Sequence, residues 1–224
     1  MAQNLALSPD LELVREWFEN KANVTQMIHW FNGELKKWEE HVVEKFPPKA
    51  KILDVGCGLG REAYALFGMG FTVVGVDTSR EVIHQVTGMV SNSGYPIRFL
   101  WYDGQKLPFE NGEFDVITIW GQTFGLMYGD EYKQVFLKEC GRVLKSGGLL
   151  SFSAYDYQSA DKLQHTDGRK YYLYPDAKLY WEMFLPEELR AYAEKAGFTV
   201  TECTHAETDR SEKDTVLHCL CRKP

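Results

Sequence analysis

The sequence predicts an α/β fold: a mostly parallel sheet with helices on both faces. Short apolar runs of strand length alternate with amphipathic stretches from residue 50 onward. Several runs are too continuously apolar to leave one face in water, and the stretches between them carry helix start and stop signals. The strand runs are "KILDVG", "FTVVGVD", "IRFLWYD", "DVITIW" and "GLLSFSAY".

Each intervening element has a local cause. Thr78-Ser79-Arg80-Glu81 has capping-box spacing and leads into Val82, Ile83, Val86, Met89 and Val90 on one helical face, with a stop near Ser93-Gly94. From Asp130 to Lys145, Tyr132, Val135, Phe136, Cys140, Val143 and Leu144 recur at helical spacing before Ser146-Gly147-Gly148. Leu185-Pro186-Glu187-Glu188 opens a further helix with proline in its first turn, and Gly197 closes it. Only the polar stretch from Ala206 to Asp214 separates "FTVTECTH" from "TVLHCLCRK". That leaves no room for a crossover helix, so these two strands pair as an antiparallel hairpin.

Two segments stand apart. Residues 1–49 read as an N-terminal helical extension of two helices, with Trp17, Phe18, Ile28, Trp30, Phe31, Leu35, Trp38, Val42 and Val43 at helical spacing before Pro47-Pro48. These aromatics either pack on the sheet, their commoner use, or cover a ligand. Residues 156–184, inserted in a domain spanning 50–224, show no clean period and are rich in tyrosine (Tyr157, Tyr171, Tyr172, Tyr174 and Tyr180, with Tyr155 just before). A long insertion after a sheet strand reads as a lid or binding loop.

Composition narrows the class. No apolar run approaches the roughly 18 residues of a membrane span, and "MAQNLALSPDLELVREW" lacks a basic region followed by an apolar one, so a cytoplasmic protein is expected. A net charge of −7 argues against nucleic acid, whose phosphates need a basic surface. The odd set Cys57, Cys140, Cys203, Cys219 and Cys221 sits in apolar patterns and reads as reduced core thiols. Cys219 and Cys221 share a strand face without further ligands in metal spacing, so no metal is expected.

The informative stretch is "ILDVGCGLGREAYALF", a buried strand, a glycine turn and a helix. Gly56, Gly58 and Gly60 alternate as G-x-G-x-G, whereas a dinucleotide fingerprint would place its third glycine at Arg61. Asp54, at the carboxyl end of the strand, would repel a pyrophosphate but suits an ammonium group, which favours a ligand with an amino-acid tail. Asp77 ends the second strand, where a carboxylate can accept from a ribose diol, and Asp103-Gly104 ends the third. Each aspartate alone could be a turn residue, but three at successive strand ends converge on one crevice.

Together, "ILDVGCGLG", "VVGVD", "WYDGQKLPFENGEFDVITIW" and "GRVLKSGGLLSFSAY" resemble the class I S-adenosylmethionine-dependent methyltransferases from about Lys51 to Tyr155. "LPEELRAYAEKAGFTVTE" is similar to the family's last helix and strand. The resemblance implies a Rossmann-like seven-stranded sheet of order 3-2-1-4-5-7-6, with strand 7 antiparallel. It implies that Gly56, Gly58 and Gly60 allow close approach of the methionine moiety of S-adenosylmethionine, with Asp54 near its amino group. Asp77 would bind the ribose, Thr78 would lie beside the adenine, Asp103 with Gly104 would meet the adenine amino group, and Trp120 would face the sulfonium. S-adenosylhomocysteine would be the product.

Methyl transfer from a sulfonium is an in-line displacement that alignment alone can accelerate strongly. In "WGQTFGLMY", Gln122 and Thr123 could hydrogen-bond a small-molecule acceptor and Phe124 could pack on it. The N-P-P-Y motif of amide- and exocyclic-amine-methylating enzymes is absent, and "GQTFG" and "AYDYQ" are faintly similar to small-amine N-methyltransferases. His165 could act as a base or be a solvated loop residue, so no catalytic residue is assigned. The alternatives are a non-catalytic S-adenosylmethionine-binding regulatory subunit, whose glycine turn would often be eroded, and an NAD(P)-dependent oxidoreductase, against which Arg61 and Asp54 count. The oligomeric state and the acceptor are not legible.

Overall fold

The computed structural model describes residues 11–29, 31–159, 163–166, 169–174, 179–208 and 211–224. Trp30 lies outside them. The core is a sheet in which β1 (Lys51–Val55) is central. β1 pairs in parallel with β2 (Thr72–Asp77) and β4 (Phe114–Ile119), and β2 pairs in parallel with β3 (Arg98–Trp101). β4 pairs in parallel with β5 (Leu144–Asp156). On the far edge, β10 (Ser211–Arg222) runs antiparallel to both β5 and β9 (Thr199–Thr208). The path β3-β2-β1-β4-β5-β10-β9 is the expected 3-2-1-4-5-7-6 order with its antiparallel strand.

Alternation along each strand divides the core in two. Leu53, Val55, Ile117, Ile119, Leu150 and Phe152 face α6 (Asp130–Val143) and α7 (Pro186–Lys195). Ile52, Val116, Trp120 and Leu149 face α3 (Lys37–Val43), α4 (Arg61–Gly68) and α5 (Arg80–Ser93).

Three details differ from the sequence reading. Among the described residues before β1 there are three helices rather than two, α1 (Leu11–Glu19), α2 (Lys21–Ile28) and α3. Asn20 breaks the first from the second, its side chain accepting from the N–H groups of Ala22 and Asn23. Ser79, not Thr78, caps α5, accepting from Val82 N–H at 3.0 Å, and this leaves Thr78 at the strand end. In the tyrosine-rich segment the described residues include strands rather than only irregular chain: β6 (Leu163–Thr166), β7 (Arg169–Tyr174) and β8 (Leu179–Phe184) form an antiparallel ladder. β8 joins β5 at Tyr155 and Asp156, past the last β4 partner at Phe152. β8 is buried almost along its whole length, which erases the alternation that marks a half-wet strand.

Cys203 and Cys219 are also not free thiols. They oppose each other across the β9–β10 ladder and form a disulfide, while Cys57, Cys140 and Cys221 are free and buried. Register, which the cysteine count does not encode, made that pair. No helix among the described residues is long and apolar enough to cross a membrane.

Candidate functional site

The carboxyl ends of β1, β2 and β4 open onto a cavity of about 950 Å³, the place where open α/β sheets bind ligands. Its floor is the glycine turn. Gly56 sits at φ +69° and Gly60 at φ +83°, conformations that suit glycine. Space restricts both further: a Cβ on Gly56 would stand 2.4 Å from Thr123 Cγ2, and one on Gly60 2.8 Å from Phe99 Cζ. Gly58 faces the cavity, where a Cβ would come no nearer than 3.8 Å to Met27 Cε.

Asp77 forms the next wall and shapes the turn. Its Oδ2 accepts from Gly58 N–H at 3.1 Å and its Oδ1 from Ser79 N–H at 2.9 Å. Burial pushes its carboxyl up, against the pull of those amides. Thr78 and Gly104 continue the wall, and the Gly104 carbonyl accepts from Tyr132 Oη at 2.6 Å.

Beneath the turn lies Asp54, 2 % exposed. Its Oδ1 accepts from Thr118 Oγ1 at 2.9 Å, while its Oδ2 is buried without a protein partner. Burial, then the neighbouring Glu62, pushes its carboxyl well above the usual range. Beside it, Arg61 donates Nη1 to Glu39 Oε2 (2.8 Å) and Nη2 to Glu39 Oε1 (2.7 Å). It also pairs with Glu62 and donates to the Glu34 carbonyl at 2.7 Å. Glu62 reaches the cavity wall next to Gly121.

The N-terminal helices form the roof. α1 buries no residue fully, yet Leu11, Val14, Trp17 and Phe18 line the cavity with Met27 and Phe31. A polar latch holds α1 to the start of α5: Glu19 accepts from Arg80 N–H (2.7 Å) and Glu81 N–H (3.3 Å), and Ser79 Oγ donates to the Phe18 carbonyl (2.8 Å). Tyr155, Leu126, Met127 and Trp181 close the far side.

Of the residues singled out from sequence, Gly56, Gly58, Asp77, Thr78, Gly104 and Thr123 line this cavity. The other assigned site residues do not line it. Asp54 and Gly60 support the turn from below. Asp103 is exposed and its Oδ1 accepts from the N–H groups of Gln105 (2.8 Å) and Lys106 (3.1 Å). Trp120 does not face the cavity. It shares the Val116–Thr118 face of β4, packs edge-on to Trp38 and parallel to Phe46, and donates Nε1 to Ser151 Oγ at 2.7 Å. Gln122 is buried off the wall with φ +62° and an unpartnered Nε2. Phe124 is fully buried among Phe152, Phe184 and Tyr192, which leaves no face for an acceptor. His165 lies on β6.

The sequence reading missed Glu62, Arg15, Tyr132 and Trp181 as wall residues, because nothing local marks a side chain that meets the cavity only after folding. The roof aromatics Trp17, Phe18 and Phe31 were visible as a stripe, but their helical spacing suits burial on the sheet equally well. The fold split the stripe: Trp38, Val42 and Val43 pack on the sheet, while Trp17, Phe18 and Phe31 cover the cavity.

Residues 52–148 match the family model described as a methyltransferase domain. The chain is 31% identical over 119 residues to the protein YqeM of Bacillus subtilis, which is described as a methyltransferase only provisionally; the match covers 53% of this chain and 48%, about half, of that relative. It is 29% identical over 199 residues to the ubiquinone biosynthesis O-methyltransferase of Thiobacillus denitrificans, covering 86% of this chain and 82% of the relative. Among solved structures, the [4+2]-cyclase SpnF superposes with a TM-score of 0.73 at 16% identity over 97% of both chains. The Burkholderia thailandensis 1,6-didemethyltoxoflavin-N1-methyltransferase, solved with S-adenosylhomocysteine, superposes with a TM-score of 0.61 at 20% identity over 82% of this chain and 74% of its own. At such identities the structural likeness speaks for the fold, which hosts more than one reaction. Residues 52–148, which carry the glycine turn and Asp77, are thus similar to a methyltransferase domain, and the sheet around them has the strand order that the sequence resemblance to the class I S-adenosylmethionine-dependent methyltransferases implied.

Proposed function

We propose that the chain transfers the methyl group of S-adenosylmethionine to a nitrogen or oxygen of a small, largely apolar acceptor held under the α1–α2 roof. The observation that carries this reading is the continuity of the cavity. One cavity is lined both by Asp77, Thr78, Gly104, Gly58 and Glu62 and by the apolar side chains of Met27, Phe31, Leu126 and Trp181. Its volume lies near the top of the roughly 300 to 1,000 Å³ range of small-molecule sites, consistent with a nucleoside cofactor and a second ligand side by side. The small-molecule acceptor in the name of the ubiquinone biosynthesis relative supports the acceptor class.

The residues fit the cofactor. At Gly58 the turn leaves open cavity that a Cβ would enter, and Asp54 Oδ2 is a buried acceptor without a protein donor. Bound S-adenosylmethionine supplies an electrophilic methyl on a sulfonium. In this reading Asp77 accepts from the ribose diol, Thr78 and Gly104 border the adenine, Asp103 accepts from its amino group and Asp54 lies toward the ammonium. Gly60 sets the helix start, and Trp120 holds the end of β4 from behind. Thr123 offers its hydroxyl to the acceptor, with Gln122 and Phe124 shaping its loop. Arg61 is engaged by Glu39, Glu62 and a carbonyl, so its guanidinium is not offered to an anionic acceptor. The chain's work is to align the acceptor and exclude water, with residues 1–49 as cap and 156–184 as an acceptor-side insertion on the 50–224 domain.

Calorimetry with S-adenosylhomocysteine and with NADH, followed by turnover assays on pooled small metabolites, tests this. Homocysteine-nucleoside binding and S-adenosylhomocysteine formation are expected. Tight NADH binding without S-adenosylmethionine binding overturns the cofactor, and binding with no turnover on any pool overturns catalysis in favour of a regulatory subunit.

A further inference from the structure

Arg61 and Glu62 on the cavity wall belong to an unbalanced charge set that continues behind it. Three carboxylates, Asp54, Glu39 and Glu62, surround one guanidinium, Arg61. Glu39 takes both edges of Arg61 in a bidentate pair and also accepts from Lys36 N–H at 2.8 Å. Asp54 and Glu62 are 2 % and 8 % exposed, and they share what compensation is left. Asp54 has one neutral donor, Thr118, and an orphaned Oδ2. Two buried carboxylates with a fraction of one cation between them cannot both stay ionised at low cost.

Resting on the proposed cofactor assignment, we propose that Asp54 and Glu62 share one proton while no cation is bound, and that an ammonium-bearing ligand takes that proton's place and expels it to solvent. The positive charge arrives on the ligand and leaves as the proton, so the charge of the cluster is conserved. Glu62 thereby becomes part of the ammonium receptor, a role its place on the first turn of α4 and on the cavity wall allows. The directions of titration agree: burial pushes both carboxyls up, with Glu62 adding to the rise at Asp54, and Arg61 opposes the rise at both. The other charged neighbours act in both directions. Glu39 raises both groups, Lys36 on the approach to α3 lowers Glu62, and the buried thiol of Cys57, itself pushed up by Asp77, Asp54 and Glu62, carries no charge to compensate them.

The test is calorimetry of S-adenosylhomocysteine binding at mildly acidic to neutral pH in buffers of different ionisation enthalpy. Release of about one proton per ligand is expected, with affinity rising toward tenfold per pH unit through the titration of the pair. 5′-Methylthioadenosine, which keeps the nucleoside and thioether but has no amino-acid tail, should bind without proton release. Glu62→Gln should abolish the release for S-adenosylhomocysteine, which separates loss from the pair from loss of a proton by the ligand's own amine. Wild-type binding of S-adenosylhomocysteine with no proton release, or equal release with 5′-methylthioadenosine, overturns the inference and leaves the cofactor assignment standing. Unchanged release in Glu62→Gln also overturns it. Failure of S-adenosylhomocysteine to bind at all overturns the cofactor assignment and the inference together.

Discussion

Arg61 and Glu39 meet as a bidentate ion pair, with N–O distances of 2.7 and 2.8 Å, across 22 residues of sequence. Glu39 is fully buried, so α3 is tied to the glycine turn through a buried charge pair.

Removing the guanidinium strands that carboxylate. Arg61→Ala should destabilise the protein by about 3 to 5 kcal/mol, the usual cost of breaking a buried pair from one side. Arg61→Lys should fall between, because an ammonium cannot span both oxygens. Urea unfolding measures both, and a loss below about 1 kcal/mol for the alanine variant would contradict the burial of Glu39.

Gly56→Ala places a Cβ 2.4 Å from Thr123 Cγ2 in a left-handed backbone. The strain and the clash together should cost roughly 2 to 4 kcal/mol in stability and weaken S-adenosylhomocysteine binding at least tenfold. Adding Thr123→Gly relieves the contact but not the φ strain, so the double variant should recover only part of the stability. Full recovery would show that the backbone conformation there is unimportant.

Asp77→Ala removes the carboxylate assigned to the ribose and also the acceptor for Gly58 N–H. S-adenosylhomocysteine affinity should fall by about 1 to 3 kcal/mol, read by calorimetry on a variant shown to be folded. Unchanged affinity would refute the ribose assignment.

His218 is buried against Trp38, its Nε2 has no protein partner, and burial pushes its pKa down from 6.5 to about 4. The folded state therefore resists a proton that the unfolded chain accepts. Its stability contribution is complete above pH 6.5, falls as the pH drops toward about 4 and is constant below that, a loss of up to ~3 kcal/mol. In urea midpoints taken across this window, the difference between wild type and His218→Leu should change in that sense. A constant difference would mean that His218 titrates normally in the folded protein.

The stretch from Ile52 to Phe67 was legible because its meaning is local. A strand, positive-φ glycines and a helix start lie within one turn of chain, and the spacing of Asp54 and Asp77 to strand ends can be counted. The strand order came from motif likeness rather than from any property of one strand. Thr123 lines the cavity whereas its neighbour Phe124 is buried behind it, a split the sequence does not mark, since adjacent residues in a tight 3₁₀ turn point to opposite surroundings.

By itself the sequence determined the α/β class, the stop of α5 at Gly94 and the glycine turn after β1, all consequences of short-range stereochemistry and periodicity. Only the tertiary structure decided which face Trp120 takes, that Cys203 opposes Cys219, that Arg61 is spent on Glu39, and that part of the N-terminal stripe roofs the cavity. Those outcomes depend on register and on partners tens of residues away, and pairwise contacts at that range leave no period or spacing in the chain that makes them.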